Sequence, residues 1–202
     1  MKYLIKVLLA LTLILNCNQT KAEEINMKDL KKLVVYFSKT GEQYSVGNIT
    51  EGNTAIIAKM ISDETGADIF EVKLKNDTYP KAYKALTEVA LSEKKANARP
   101  EIIDNIADFD TYDIVFIGTP NWWADMPMAL YTFIEAHDWS NKTVIPFVTH
   151  EGSGLASIPA KIQSAANPKE MLSGFEIYGH TAQNNRQEAE KEVVSWLKKL
   201  GF

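Results

Sequence analysis

Apolar residues recur along the chain in two patterns, as short continuous runs and as repeats spaced by three or four positions. Residues 33–37 and most of 113–118 form apolar runs of strand length, which are typical of parallel strands that helices cover on both faces. Alternating apolar and polar residues over 68–73 predict a strand at an edge of the sheet. Two further strands are predicted at 142–149 and 174–179.

Helical repeats follow each of these strands. Residues 53–64 predict a first helix, and a second fades near Asn97. Pro127 suits the first position of a third helix, and residues 156–166 predict a fourth. In the fifth helix the apolar residues at helical spacing are Ala189, Val193, Trp196, Leu197 and Leu200. This spacing makes Trp196 a core residue rather than a platform for a ligand.

The regular alternation of strand and helix predicts the fold class. We expect an α/β protein with a three-layer, doubly wound, five-stranded parallel sheet in the order 2-1-3-4-5. Ligands bind such sheets where the ends of the first and third strands diverge, which places residues 38–41 and 119–123 at the predicted site. A chain of 202 residues suits one such domain.

The first 22 residues differ from the rest of the chain. Lysines adjoin an apolar run over 4–15, and small residues around Ala22 offer a cleavage point, so residues 1–22 are predicted to be a secretory signal peptide. Residues 23–32 are expected to be a polar spacer, and residues 33–202 the folded domain. We therefore expect export to the bacterial periplasm, with no membrane span in the mature chain.

Cys17, the single cysteine, lies in this leader. Its position leaves open a membrane-anchored lipoprotein with the lipid on Cys17, although Asn16 departs from the small residue expected before it. Cleavage after Ala22 would remove Cys17 and exclude disulfide chemistry. Residues 23–202 contain 19 basic and 26 acidic side chains, a net charge of −7, which disfavours nucleic acid and acidic membranes as partners.

Small polar residues and glycine surround the junction between the first strand and the first helix, which the ten residues 42–51 interrupt. Short side-chain donors and the free N–H groups of a helix start suit a phosphate. The spacing matches neither the nucleoside-triphosphatase loop nor the glycine pattern of dinucleotide sites. An ordinary polar turn capped by Asn53 or Thr54 remains the alternative. The residues predicted to hold the phosphate are Ser38, Lys39, Thr40, Gly41, Asn53 and Thr54.

Two further loops reach the same edge of the sheet. One carries adjacent indoles that can stack on a flat ring, with core packing as the alternative, and the other carries glycines that let backbone N–H groups approach a ring edge. The residues predicted to contact the ring are Pro120, Asn121, Trp122, Trp123, His150, Gly152, Ser153 and Gly154. Zinc-protease, hydrolase and calcium-loop spacings do not occur there or elsewhere, so no catalytic side chain and no metal site are predicted.

Together these three loops resemble those of the flavodoxin family. Ser-Lys-Thr-Gly with Gly-Asn-Thr, Pro-Asn-Trp-Trp with Met-Pro, and Thr-His-Glu-Gly-Ser-Gly are similar to the flavin loops of that family, and the similarity spans residues 33–202. The resemblance implies FMN as the cofactor and a redox protein that carries electrons to a partner protein or reduces a small acceptor. An NAD(P)H-dependent quinone or nitro reductase and a scaffold that has lost flavin both stay open.

Two departures from the family pattern affect these expectations. The insert at 42–51 interrupts the phosphate loop, so the individual phosphate contacts stay open. Residues 119–127 contain no glycine where flavodoxins commonly place one beside the flavin, and a residue with a Cβ atom reaches positive φ at a higher cost. We therefore expect the flavin to favour two-electron steps over one-electron transfer.

Overall fold

Parallel strands form the middle layer of the protein, as the alternating pattern predicts. The computed structural model describes residues 26–103 and 105–202, so the predicted signal peptide and Cys17 lie outside the described residues. The described strands are β1 (Lys32–Tyr36), β2 (Gly41–Gln43), β3 (Gly47–Ile49), β4 (Asp68–Glu71), β5 (Ile114–Pro120), β6 (Thr143–His150), β7 (Glu170–Met171) and β8 (Phe175–Tyr178).

Helices cover both faces of this sheet. The described helices are α1 (Asn53–Thr65), α2 (Tyr83–Ala96), α3 (Met128–Glu135), α4 (Ile158–Ala166), α5 (Gly179–Asn184) and α6 (Arg186–Leu200). Several of them end at a glycine or asparagine in the left-handed region, which satisfies the last carbonyl groups of a helix. These residues are Gly66, Asn97, Asn167 and Gly201. Within the described residues, no helix combines the length and apolar character needed to cross a bilayer.

The strand order confirms the predicted topology. The sheet runs β4-β1-β5-β6, and both β7 and β8 pair with β6, every pairing being parallel. With β8 in the fifth position this is the expected order 2-1-3-4-5, and β7 adds two residues that no pattern predicted. β4 lies at the edge, as its alternating sequence indicated, and Ile69 on it is 48% exposed.

Alternate side chains of the strands enter two hydrophobic cores. In β1, Leu33 and Val35 face α2, α3 and α4, whereas Val34 packs with α1, α5 and α6. Trp196 of α6 is buried and stacks on Phe175 with 5.0 Å between ring centroids, which confirms its assignment to the core. Packing on both faces holds the strand ends, and so the loops that follow them, in fixed positions.

The polar lead-in joins the domain earlier than expected. Lys32, placed in the spacer by the sequence, is the first residue of β1 and is buried. Its ammonium group donates to the carbonyl oxygens of Lys28 at 2.9 Å and Leu30 at 2.7 Å, so the charge is satisfied while the stem packs inside. Met27 and Leu30 also pack against the core that contains α1 and α6.

The insert after the first strand forms an antiparallel hairpin of β2 and β3. The Glu42 N–H donates to the carbonyl oxygen of Lys81 at 2.8 Å, and the Glu42 carboxylate accepts from the Tyr83 N–H at 2.9 Å. Gly41, at φ 101°, lies so close that an added Cβ would come within 2.7 Å of the same Lys81 oxygen. The hairpin is therefore fastened to the start of α2, beside the carboxyl end of the sheet.

Candidate functional site

Three loops meet where β1, β5 and β6 end, because the carboxyl ends of parallel neighbouring strands share one edge of the sheet. We call them the phosphate loop (residues 38–41 and 52–54), the aromatic loop (residues 120–125) and the third loop (residues 150–154). All the predicted site residues lie in these loops. Their side chains differ in what they can offer a ligand.

Ser38 and Gly52 bring the two halves of the phosphate loop together. The Ser38 hydroxyl oxygen accepts from the Ala55 N–H at 3.1 Å, so it uses one of the free donors at the start of α1. Gly52 packs on this hydroxyl, and a Cβ there would lie 2.0 Å from Ser38 Oγ. A larger residue at this position would displace the Ser38 hydroxyl. The insert thus leaves the junction between strand and helix intact.

Lys39 and Thr40 take different positions from Ser38. The Lys39 ammonium group pairs with the Asp77 carboxylate at 2.8 Å and lies 5.8 Å from the centre of the Tyr79 ring. It is therefore already neutralised by a carboxylate rather than free for an anion. Thr40 is exposed to solvent.

The hydroxyl groups of Thr54 and Thr149 lie 2.8 Å apart in the protein interior. In such a pair one hydroxyl donates to the other, which leaves a single O–H free to donate to a third group. Thr149 was missed by the sequence analysis, where it reads only as the end of the fourth strand. The phosphate loop and β6 are joined by this contact.

At the start of α1, the Asn53 amide uses its oxygen in a hydrogen bond and keeps its nitrogen without a partner among the described residues. Its Oδ1 accepts from Gln183 Nε2 at 2.9 Å, and this contact orients Nδ2 toward Gly179, where an added Cβ would come within 2.2 Å of it. Gln183 Nε2 also donates to the Glu51 carbonyl oxygen at 2.6 Å. The loop before α1 is therefore held in place from α5.

Asn121 braces the aromatic loop against the third loop. Its Nδ2 donates to the Gly154 carbonyl oxygen at 3.0 Å, and its Oδ1 accepts from the Ala124 N–H at 3.0 Å. Because the amide nitrogen and oxygen both form hydrogen bonds within the protein, Asn121 sets the distance between the two loops.

The aromatic loop turns sharply at Trp123 and Ala124. Trp122 and Asp125 exchange backbone hydrogen bonds of 2.8 and 3.1 Å, and the two residues between them have φ angles of 59° and 57°. Positive φ at both central residues is the type I′ geometry, which glycine and asparagine usually occupy. The loop without glycine thus adopts positive φ in spite of its Cβ atoms, at a cost in free energy.

Charged side chains and hydroxyl groups hold this strained turn. Lys94 donates to the Trp123 carbonyl oxygen at 2.5 Å, and the Ser157 hydroxyl donates to that of Ala124 at 2.8 Å. Lys161 forms an ion pair with the buried Asp125 carboxylate and also contacts the Ala124 carbonyl oxygen at 3.3 Å. The Tyr131 hydroxyl donates to Asp125 at 2.9 Å, and burial raises the pKa of Tyr131, so it stays a donor.

The two tryptophans of this loop occupy different environments. Trp122 is half-buried and meets Phe37 and Tyr79 edge to face, with centroids 5.5 and 5.4 Å apart. Trp123 is 49% exposed, and its indole N–H donates to the Thr87 carbonyl oxygen at 3.0 Å. Burial, with a hydrogen bond to Glu93, raises the pKa of Tyr79, so its neutral ring supports Trp122 at all ordinary pH values.

His150 shapes the third loop from within. Its Nδ1 accepts from the Gly152 N–H at 2.8 Å, so this nitrogen carries no proton in that contact. Its Nε2 lies 2.7 Å from a Glu176 carboxylate oxygen without forming a hydrogen bond among the described residues. Gly152 and Gly154 have φ angles of 103° and 60°, which glycine adopts without strain, and Ser153 between them is exposed.

Two adjacent cavities open among these loops. The first, the switch-point cavity of about 250 Å³, is bordered by all three loops, including Asn53, Pro120 and His150. The second, the α2 cavity of about 260 Å³, lies between the aromatic loop and α2. Residues that border them and that the sequence analysis missed are Gln43, Tyr44, Tyr83, Leu86, Thr87, Ala90, Thr149 and Glu151.

Sequence reasoning missed six of these residues because they come from the hairpin and from α2, whose approach to the site no local pattern reveals. Thr149 and Glu151 flank His150 and follow from the strand end, so strand position was a usable signal for them. Among the described residues, no cluster of three or more His, Cys, Asp or Glu side chains can hold a metal ion.

The fold and the position of the site define a flavodoxin-type α/β protein. A family model described as Flavodoxin matches residues 31–200. The chain therefore belongs to the flavodoxin family. No curated protein matches the sequence.

Solved structures of similar proteins share this fold. A protein of Bacteroides eggerthii named as a candidate flavoprotein is 27% identical, with 86% of this chain and 99% of that chain covered and a TM-score of 0.63. A candidate flavoprotein of Bacteroides uniformis is also 27% identical, with 84% and 98% covered and a TM-score of 0.61. The flavoprotein of Lactobacillus acidophilus, solved in complex with FMN, is 22% identical over 79% of this chain and 99% of its own, with a TM-score of 0.58.

Proposed function

We propose that this protein binds FMN in the switch-point cavity and serves as a redox protein through it. The observation that carries the proposal is one cavity of about 250 Å³ that borders a helix start able to hold an anion, an indole and a glycine loop. These are the three surfaces that a phosphate, a ribityl chain and a flat ring require. Membership in the flavodoxin family and the FMN complex of the Lactobacillus acidophilus protein support it.

The side chains around the phosphate loop fit this cofactor. Asn53 Nδ2, the free hydroxyl hydrogen of the Thr54–Thr149 pair and the first N–H groups of α1 are the donors proposed for the phosphate. Gly52 lets the Ser38 hydroxyl lie beside the start of α1, because a Cβ there would displace it. Lys39 is engaged by Asp77, so the loop binds the phosphate with neutral donors and the helix dipole.

The remaining loops fit the ring. Trp122 borders the cavity and is held by aromatic neighbours, and the third loop presents Ser153 with the flanking glycines. FMN, when bound, supplies reversible uptake of one or two electrons. The protein's own part is to bind and orient it and to limit access to the ring. Electron transfer to a partner protein and reduction of a small acceptor are both compatible with this role, and the α2 cavity beside the site favours the small acceptor.

Binding of FMN and riboflavin, measured by flavin fluorescence on the purified protein, tests the phosphate assignment because riboflavin lacks the phosphate. We expect Asn53→Ala to weaken FMN about tenfold, the effect of losing a hydrogen bond to a charged group, and to change riboflavin little. Gly52→Ala should weaken FMN further, since its Cβ meets Ser38. The matched control is Asn141→Ala, an exposed asparagine at the opposite end of the sheet. Equal affinities for FMN and riboflavin would refute the assignment.

We further propose that the mature protein acts after export, in the bacterial periplasm. This proposal rests on the sequence of residues 1–22 alone. In a second form of this proposal, a lipid on Cys17 anchors the protein to a membrane by its amino terminus.

A further inference from the structure

The two ring nitrogens of His150, at the end of β6, lie in different surroundings. The side chain is buried, with 4% of its surface exposed, and the Tyr178 ring of the neighbouring β8 lies 4.7 Å from it between centroids. Nδ1 accepts from the Gly152 N–H at 2.8 Å, and Nε2 lies 2.7 Å from a Glu176 carboxylate oxygen. An imidazole that accepts at Nδ1 carries its single proton on Nε2 and is neutral.

The contact between Nδ1 and Gly152 holds the shape of the third loop. Gly152 and Gly154 have φ angles of 103° and 60°, which residues with a Cβ atom rarely adopt. The Glu176 carboxylate lies against the same segment, because a Cβ on Gly154 would come within 2.9 Å of it. His150 and Ser153 both border the switch-point cavity. The shape of the loop therefore helps to set the shape of this cavity.

Protonation of His150 would break the contact with Gly152. A charged imidazole donates from both nitrogens, so its Nδ1–H would face the Gly152 N–H, and two donors cannot bond to each other. The Glu176 carboxylate beside Nε2 can balance the charge of the ring, so the charged form can exist in this buried place. Histidine changes its charge between about pH 5 and pH 8. The third loop thus contains a hydrogen bond that mild acid removes.

Other titratable groups near His150 lie on β8, on α5 and in the third loop. Tyr178 of β8 contacts the His150 ring, and His180 of α5 contacts Tyr178 and lies 2.8 Å from the Glu151 carboxylate. The first turn of α1 and the whole of β5 have no charged side chain. Glu151 is engaged by His180, and Glu176 is the carboxylate that His150 contacts.

We propose that His150 is a positioning residue that makes the hold of the third loop on the flavin ring depend on pH. Neutral His150 closes the loop through Gly152, and protonation at Nδ1 opens it. The inference rests on the proposed function, in which the third loop contacts the ring. Because the closed loop needs the neutral imidazole, flavin should bind more weakly as the pH falls from about 8 to about 5. By linkage, flavin binding within this range should release a proton.

Riboflavin is the probe, because the phosphate of FMN takes up a proton in the same pH range. Its affinity is measured by flavin fluorescence from about pH 8 to about pH 5, and circular dichroism confirms at each pH that the protein is folded. We expect the unchanged protein to lose about three- to tenfold in affinity, the effect of one hydrogen bond.

His150→Asn separates protonation from loss of the contact. An asparagine oxygen can accept from the N–H two residues further on and does not titrate, so this variant should bind riboflavin at about pH 8 and change less than about twofold by pH 5. The matched control is His180→Gln, which should keep the pH dependence of the unchanged protein. A pH dependence that His150→Asn keeps, or that His180→Gln removes, would overturn the inference.

Two further measurements keep the failures apart. Glu176→Gln should move the loss of affinity to lower pH, since no carboxylate then balances the charged ring. In the ¹⁵N-labelled apoprotein, the amide resonance of Gly152 should shift with pH in the unchanged protein and stay in place in His150→Asn, a readout that needs no flavin. Riboflavin binding that is independent of pH would overturn this inference alone, whereas failure of FMN and riboflavin to bind at any pH would refute the proposed function.

Discussion

The hydroxyl groups of Thr54 and Thr149 share a buried hydrogen bond of 2.8 Å that joins the start of α1 to the end of β6. Thr54 is 1% exposed and Thr149 is 3% exposed, so each hydroxyl has the other as its main partner. A helix start and a strand that lie far apart in the sequence are thereby fixed beside each other, and the phosphate loop and the third loop keep their relative position.

Replacing either threonine by valine should leave the other hydroxyl unpartnered. We expect Thr54→Val and Thr149→Val each to lower the free energy of unfolding by about 1–2 kcal/mol. The double variant should lose less than the sum, because neither partner is then orphaned. Urea unfolding of the apoprotein measures the free energy of unfolding of the unchanged protein, of both single variants and of the double variant. Strict additivity would show that the hydroxyls do not interact.

The two tryptophans should respond differently to truncation. Trp122→Ala should cost about 2–3 kcal/mol, somewhat less than a fully buried tryptophan, because it removes packing on Phe37 and Tyr79. Trp123→Ala should cost under about 1 kcal/mol, since half of its surface is already exposed. Urea unfolding gives both values, and quenching of FMN fluorescence then shows which indole contacts the ring. If neither variant changes quenching, neither indole stacks on the flavin.

Ala124→Gly should stabilise the apoprotein. Ala124 has a φ of 57°, where glycine avoids the clash of a Cβ atom, so we expect a gain of about 0.5–1 kcal/mol. The matched control is Ala136→Gly, at a φ of −83°, which should instead cost about 0.5–1 kcal/mol. A lower free energy of unfolding in both variants would show that Ala124 is not strained. In the flavin-loaded protein, the same Ala124→Gly change is expected to favour one-electron steps in a dithionite titration.

His137 should make stability depend on pH. Burial between the Phe109 and Phe133 rings, each 4.3 Å away, lowers the pKa of His137, and its Nε2 has no partner in the described residues. The unfolded chain then binds a proton near the ordinary pKa of about 6.5 that the folded chain does not bind. The free energy of unfolding should therefore fall as the pH drops below about 6.5.

Urea unfolding at pH 7.5 and pH 5.5 measures this dependence. His137→Gln should flatten the change between the two pH values. His180 is exposed, so His180→Gln serves as the control. The pH dependence that His137 causes should remain in this variant. An unchanged slope in His137→Gln would assign the dependence to other groups.

Processing of the amino terminus tests the proposed export. If residues 1–22 are a cleaved signal peptide, the intact mass of protein purified from its native cells should correspond to a chain that begins at Glu23. Retention of Met1 would refute export by this route. Incorporation of labelled palmitate that disappears in Cys17→Ser would instead establish the lipoprotein form.

Hydrophobic patterning by itself determined the architecture of this protein. Unbroken apolar runs at β1 and β5 identified strands buried on both faces, and helical repeats after each strand required parallel crossovers. Parallel strands that are joined by helices can be arranged in only a few orders. The position of the switch point, and the loops that reach it, could therefore be predicted from the sequence. Small polar residues and glycines at those strand ends then marked the phosphate, aromatic and third loops.

Tertiary structure alone decided which of these residues are free to meet a ligand. The sequence placed Lys39 and Thr54 in the site, and only the structure shows that Lys39 pairs with Asp77 and that Thr54 shares a hydrogen bond with Thr149, partners distant in the chain. The insert became a hairpin fastened to α2, and this brought Gln43 to the cavities. Local sequence patterns show which residues of a helix or strand are buried. They do not show side-chain pairs such as these, which depend on which distant segments the fold brings within hydrogen-bond distance.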